Sequence, residues 1–501
     1  MLRRLLVALG AATLVAAGLT ATPAAATEGD DGVRPMIFVH GFLGSGQQFE
    51  AQALRFTSNG WPADHIEMFE HDSLLYPGSQ AEVWGRLDGM IADLLDATGA
   101  DQVYLLGHSQ GTGVVQGYLN SDPARAANVA KYVNLDGGAG GTVPDTVETL
   151  AIWGEGDPGR QIPGATNVQF PDQAHTEVVN SPETFVEIYR FFTGDEPAHR
   201  EVVRELPKRI EVSGRVQLFP QNTGVGDATL SIYKIHPRTG LRLTGRPEAS
   251  FELTDGRWGP FAADGDAYYE FAVSRDTGTH HIYMQRFVRS SRWVRILTSE
   301  PGGLADSFWE VGDDRSNMVI FRNKEWWGDQ GAAGDSLEIN GVEILNAATS
   351  PRQNRTIGIF VHDDGADGKT DVSAPVSPSG LPFLIGIDMH IPAADPPDAT
   401  ISVVADPRRG DGPESLCVPN WASSTDRISV QMNSYHHLLD HKGRPTDGHA
   451  NPKCAEPGKQ PPGGKPPADR PPVDTPPDKP GAPIPPAPPA TPVVATPNFT
   501  G

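Results

Sequence analysis

The chain has 501 residues and a formal net charge of −23 at pH 7. That length exceeds one compact core and predicts two or three domains. The charge argues against nucleic acid and anionic membrane surfaces as partners, and it suits an exported protein that must stay dissolved.

Residues 1–26 read as a signal peptide, in which Arg3 and Arg4 precede an apolar Leu/Val/Ala run ending at Ala24-Ala25-Ala26. The run is too short to span a bilayer, and no second stretch of spanning length follows. The expected product is therefore secreted and extracellular, without a stable membrane anchor.

A first domain is expected over residues 27–196. RPMIFVHGF is a short buried strand, Met36 to Val39, that runs into His40-Gly41-Phe42 and a glycine-rich turn. DQVYLLGHSQGTGVVQGYL places the pentapeptide GHSQG between an apolar strand and a helical pattern. Chance can supply G-x-S-x-G, but chemistry needs this strand-turn-helix setting, which holds a serine exposed on a sharp bend. Ser109 is the candidate nucleophile. The backbone amides of Phe42 and Gln110 are the candidate oxyanion donors. Downstream, TLAIWGEGDPG ends an apolar strand at Asp157, and ATNVQFPDQAHTE leads to His175. Asp157 and His175 are the expected acid and base. Glu155 and Asp136, which ends the strand AKYVNLD, are alternatives for the acid, whereas Asp172 lies too near His175 along the chain. His40 and His108 read as supporting residues. The order Ser, Asp, His belongs to one class of serine hydrolase. No large insertion separates Asp136 from the next strand, so only HDSLLYPGSQ could act as a flap.

Residues 33–194 resemble a small α/β-hydrolase lipase or esterase, carried by His40, Gly41, Phe42, Ser109, Gln110, Asp157 and His175. The whole chain is similar to secreted lipases with an appended β-rich domain, the archaeal long-chain lipase type among them. This resemblance implies a minimal α/β-hydrolase core of about six mostly parallel strands. It implies a serine carboxylic-ester hydrolase acting on lipid esters, foremost acylglycerols, through an acyl-serine and without a cofactor. It also implies a β region that borders the acyl-binding cleft. Esterase action on soluble esters, polyester depolymerisation, and thioesterase or acyltransferase chemistry would use the same residues. A non-catalytic binding protein of hydrolase-like fold is the alternative of another class. Oligomeric state stays open.

The charged stretch DEPAHREVVRELPKR reads as a linker, after which the apolar period changes to two. Residues 205–300 predict a β-sandwich resembling carboxypeptidase-regulatory or transthyretin-like modules, and residues 301–454 a second β-rich domain. From 455 to 501 the chain is Pro-rich and cannot build a core. In an oxidising compartment Cys417 and Cys454 are expected to pair. HDDGADGKTD, His362 to Asp371, reads as an Asp/Gly hairpin turn, with a calcium loop as the second reading. His436, His437, His441 and His449 fit no metal spacing. Trp309, Trp326 and Trp327 read as core residues, with a lipid-contacting patch as the alternative.

Overall fold

The computed structural model describes residues 33–299, 302–303, 305–381, 383–435, 437–446 and 452–455. The expected signal peptide, the Pro-rich tail beyond Ala455, His436 and His449 lie outside the described residues.

Six parallel strands form the first sheet: β1 (Met36–Val39), β2 (Ile66–Phe69), β3 (Val103–His108), β4 (Val129–Leu135), β5 (Glu148–Trp153) and β6 (Thr166–Gln169), in the order β2-β1-β3-β4-β5-β6. Both faces of such a sheet are covered, so its strands read as unbroken apolar runs; every residue of β1 and β3 is buried. The helices are α1 (Glu50–Ser58), α2 (Gln80–Thr98), α3 (Gln110–Ser121), α4 (Pro123–Ala127), α5 (Glu177–Asn180) and α6 (Pro182–Thr193). In α2, Val83, Leu87, Ile91 and Leu94 recur at helical spacing and are its buried face. Ser181 caps α6 by accepting from the Thr184 N–H, and Gly194 closes it with φ 83°. The expected α/β-hydrolase core is present, with six strands and all of them parallel.

The stretch read as a linker contains a short strand, Val202–Val203, paired in parallel with Leu438–Leu439. Beyond it, a nine-stranded sheet runs through both β blocks. Strand Asp426–Met432 lies between Gly278–Met284 of the first block and Met318–Arg322 of the second, parallel to each. A three-stranded sheet packs on one half, around Val212, Phe271 and Ile296. A four-stranded sheet packs on the other, around Ile320, Ile359 and Val403. The two blocks are thus joined through a common sheet. One edge of that sheet is Asp371–Leu381, an irregularly paired strand carrying Pro375 and Pro378.

At the seam, His281 Nδ1 meets Glu270 Oε1 at 2.6 Å, Nε2 meets Asp426 Oδ1 at 3.0 Å, and the ring stacks on Trp421 at 3.9 Å. Burial alone would lower the pKa of His281, but the two carboxylates raise it above the ordinary value. Because the folded-state value is raised, the stabilisation is complete below about pH 6 and lost as pH rises through that value. The gap in Tm between wild type and His281→Gln should therefore be widest near pH 6 and narrow in alkali. A gap that is constant with pH would show that His281 is not held charged.

Cys417 and Cys454 form the expected disulfide and tie residues 452–455 to strand Glu414–Pro419, where the Ala455 N–H donates to the Arg238 carbonyl. Trp309, Trp326 and Trp327 are buried, and Trp327 lies between the guanidiniums of Arg352 and Arg408 at 4.0 and 3.8 Å. In the HDDGADGKTD turn, Asp363 Oδ1 accepts from the amides of Asp367 and Gly368. Among the described residues, no group of three His, Cys, Asp or Glu stands in a metal-holding arrangement. No helix among them is long and apolar enough to cross a membrane.

Candidate active site

Ser109 lies between β3 and α3 with φ 52° and ψ −123°, a conformation L-residues rarely adopt. The glycines around it are required by close approach. A Cβ at Gly111 would stand 2.3 Å from the Val39 carbonyl oxygen and 2.5 Å from that of His40. One at Gly107 would stand 2.8 Å from the Gly111 oxygen, and one at Gly41 would stand 2.8 Å from the Ser109 Cβ. The start of α3 is thus pressed against the end of β1, which brings Ser109 beside the His40-Gly41-Phe42 loop.

That loop is held from several sides. Gly44 N–H donates to the Gly41 carbonyl at 3.1 Å, Gly41 N–H to Gln48 Oε1 at 3.3 Å, and Leu43 N–H to Ser73 Oγ at 2.9 Å. The N–H groups of Phe42 and Gln110 have no intramolecular partner among the described residues. Gln110 is the first residue of α3, so its N–H has no helical acceptor and carries the positive end of the helix dipole. His40 Nδ1–H donates to the Gly41 carbonyl at 2.9 Å, while Nε2 accepts from His71 N–H and Asn222 Nδ2, each at 3.2 Å. This pattern needs a neutral ring, and burial lowers its pKa accordingly. The stretch HDSLLYPGSQ borders the site. The Ser73 carbonyl accepts from Gln110 Nε2, and Leu74 and Leu75 are exposed.

His175 follows β6, and its Nδ1 lies 2.6 Å from Asp136 Oδ2. Asp136 directly follows β4 with φ 45°, and its Oδ1 accepts from Gly154 N–H at 2.8 Å and pairs with Arg160 Nη1 at 2.9 Å. Burial would raise its pKa, but the His175 hydrogen bond and charge, the Arg160 guanidinium and the Gly154 N–H together hold it well below the usual carboxylate range. His108 Nε2–H donates to the His175 carbonyl at 3.0 Å, which links the residue before Ser109 to the imidazole loop. Burial holds His108 neutral. The Ser109 hydroxyl makes no hydrogen bond among the described residues.

The acid expected at Asp157 needs correction. Asp157 is exposed, and its carboxylate accepts from the Gly159 N–H at 2.8 Å. Its carbonyl accepts from the Arg160 N–H at 3.2 Å, so it shapes the turn that delivers Arg160 to Asp136. Glu155 is paired with Arg352 at 2.7 Å.

The β region reaches the loops that flank Ser109 and His175. Glu70, at the end of β2, accepts from Gly46 N–H at 3.0 Å, from Arg295 at 2.7 Å and from Gln217 at 3.3 Å. Asn222 Nδ2 donates to the Gly44 carbonyl at 2.7 Å. Arg408 pairs with Glu177 at 2.6 Å, just past His175. None of these residues stood out in the sequence, because a lone Asn, Arg or Glu between strands carries no motif. The ring of Phe383 lies parallel to that of His175, 6.1 Å away. Beside it opens an apolar cavity of about 80 Å³, partly open to solvent, walled by Leu43, Leu297, Phe321, Phe360, Phe383 and Leu384.

Residues 208–301 match the family model described as the lipase C-terminal domain, and residues 305–436 match a second model described as a C-terminal domain. No curated protein matches the chain. Similar solved structures include a Listeria innocua protein at 17% identity, covering 33% of this chain and 96% of that one with a TM-score of 0.25. A CIB-like hydrolase of Thermoplasma acidophilum matches at 18% identity over 32% of this chain and 87% of its own, with a TM-score of 0.24. Aspergillus fumigatus lipase B matches at 15% identity over 36% of this chain and 56% of its own, with a TM-score of 0.27. The parallel sheet and the bend at Ser109 define an α/β-hydrolase core. Joined to it is a β-rich half, of which residues 208–301 are similar to the lipase C-terminal domain.

Proposed function

We propose that the protein is a secreted serine hydrolase of carboxylic esters, acting on lipid esters such as acylglycerols through an acyl-serine. The observation that carries this reading is the Asp136–His175 pair with Ser109 on its strained bend, where the Phe42 and Gln110 N–H groups have no partner among the described residues. Ser109 Oγ attacks the ester carbonyl carbon and gives its proton to His175 Nε2. Asp136 keeps the other proton on Nδ1 and stabilises the imidazolium as it forms. The amides of Phe42 and Gln110 stabilise the oxyanion, where one donor contributes about 3–4 kcal/mol. Collapse breaks the carbonyl–oxygen bond to the alcohol, which leaves with the proton from His175. Water, deprotonated by the same imidazole, then releases the acid and restores Ser109.

The apolar cavity beside Phe383 supports an acyl chain lying against the β region. The test is hydrolysis of p-nitrophenyl esters from acetyl to palmitoyl, alongside emulsified triacylglycerols. Rates should favour the longer acyl groups. Leu297→Trp, which fills the cavity, should lower them for long chains and spare the acetyl ester. An enzyme inert towards every ester would sink the reading, and an unchanged profile in Leu297→Trp would sink the acyl-site assignment.

A further inference from the structure

We infer that Glu325, in the β region, is a positioning residue for His175, holding its loop through two backbone amides. The inference rests on reading His175 as the catalytic base. The Glu325 carboxylate accepts from the N–H of Thr176 with one oxygen and from the N–H of Glu177 at 3.0 Å with the other. These are the two residues that follow His175, and Glu177 opens α5. A loop residue whose next two amides are both fixed has little freedom to swing its side chain.

Glu325 is itself rigidly mounted. Its carbonyl accepts from Arg322 Nη2 at 2.7 Å and from Arg408 Nη1. The next residue, Trp326, donates its N–H to the Thr356 carbonyl at 2.8 Å, and Trp327 is clamped between two guanidiniums. On the other side, the Asn323 carbonyl accepts from Asn180 Nδ2, and Lys324 Nζ lies 3.5 Å from Glu177. Segment 323–325 therefore docks along the whole of α5.

The pair of acceptor oxygens matters as well as the shape. Glu325 is fully buried, and its carboxylate forms no direct ion pair among the described residues. Burial pushes its carboxyl up from the ordinary value, opposed by the Thr176 N–H and by His175 and Arg408 nearby. A glutamine could accept only one of the two N–H groups and would turn a donor towards the other.

The experiment compares the full-length wild type, Glu325→Gln, Glu325→Asp and Ser109→Ala on a p-nitrophenyl ester. Glu325→Gln should keep its fold by circular dichroism and lose kcat by about 10- to 100-fold with KM little changed. Glu325→Asp keeps both acceptor oxygens but reaches only one amide, so it should recover part of kcat. Wild-type kcat in Glu325→Gln would overturn the inference. Should that variant not fold, undiminished kcat in Glu325→Asp would overturn it, and a tenfold loss of kcat with KM unchanged would uphold it. Activity surviving in Ser109→Ala would instead remove the reading of the site, and this inference with it.

Discussion

Asp136→Asn is expected to lower kcat for ester hydrolysis by about 10⁴-fold with little change in KM, while Asp157→Asn stays within about twofold of wild type. The carboxylate of Asp136 does two things that an amide cannot. It accepts the Nδ1 proton of His175, which leaves Nε2 free as the base, and it neutralises Arg160 in a buried site. An asparagine can retain the Gly154 N–H with its oxygen only by turning its NH₂ towards Nδ1. The imidazole then takes the opposite tautomer and has no lone pair to offer Ser109. Because the Asp136 carboxyl is held below the usual range, the pair contributes stability above the unfolded carboxylate value and loses it only as pH falls through the folded one. Measured kcat in the two variants, with circular dichroism to confirm folding, decides the matter. Wild-type turnover in Asp136→Asn would return the acid to another residue.

Truncation after Arg204 is the second large effect, and it should leave no measurable esterase activity. If the β region merely bordered the cleft, its loss would change acyl preference alone. The contacts argue otherwise. Truncation removes Arg295 and Gln217 from Glu70, Arg408 from Glu177 and Ser291 from Glu50, all in buried or half-buried surroundings. It also strips the Ile66 carbonyl of its Trp293 donor, and it removes Asn222 from the Gly44 carbonyl. Stranding one member of a buried ion pair costs about 3–5 kcal/mol, against a total stability of about 5–15 kcal/mol for an ordinary domain. Two such losses, about 6–10 kcal/mol together and beside both the Ser109 and His175 loops, take most of that stability. Soluble yield, circular dichroism and ester hydrolysis of residues 27–204 provide the measurement. A folded, active fragment with a shifted acyl profile would show that the β region only borders the cleft.

How much the sequence disclosed varies with the range of the forces involved. The bend at Ser109 was legible because it is local: Gly107 and Gly111 are there to admit backbone that approaches within four residues of the serine or at the neighbouring strand end. The acid was not. Asp136 and Asp157 both follow buried strands, and both sit among glycines. The difference lies in the positive φ of Asp136 and in the return of Arg160, neither of which leaves a spacing signature. Alternating apolar residues located most β strands, since the period reflects one buried face. Pairing left no such trace. Asp426–Met432 enters between strands more than a hundred residues earlier, and only packing selects that place. Glu325 was invisible for the same reason, because its partners lie almost 150 positions upstream.

The edge strand Asp371–Leu381 of the nine-stranded sheet has a consequence for how one copy of the chain meets another. Open edges present unpaired N–H and C=O groups that can template the strand of another molecule. On Asp371–Leu381, however, Pro375 and Pro378 have no N–H to offer, and breaks in register interrupt the spacing of the remaining donors. An incoming chain finds no continuous ladder to extend, and Phe383, just beyond this strand, lies 6.1 Å from the His175 ring. This border of the sheet is thus built to resist fibrillar growth.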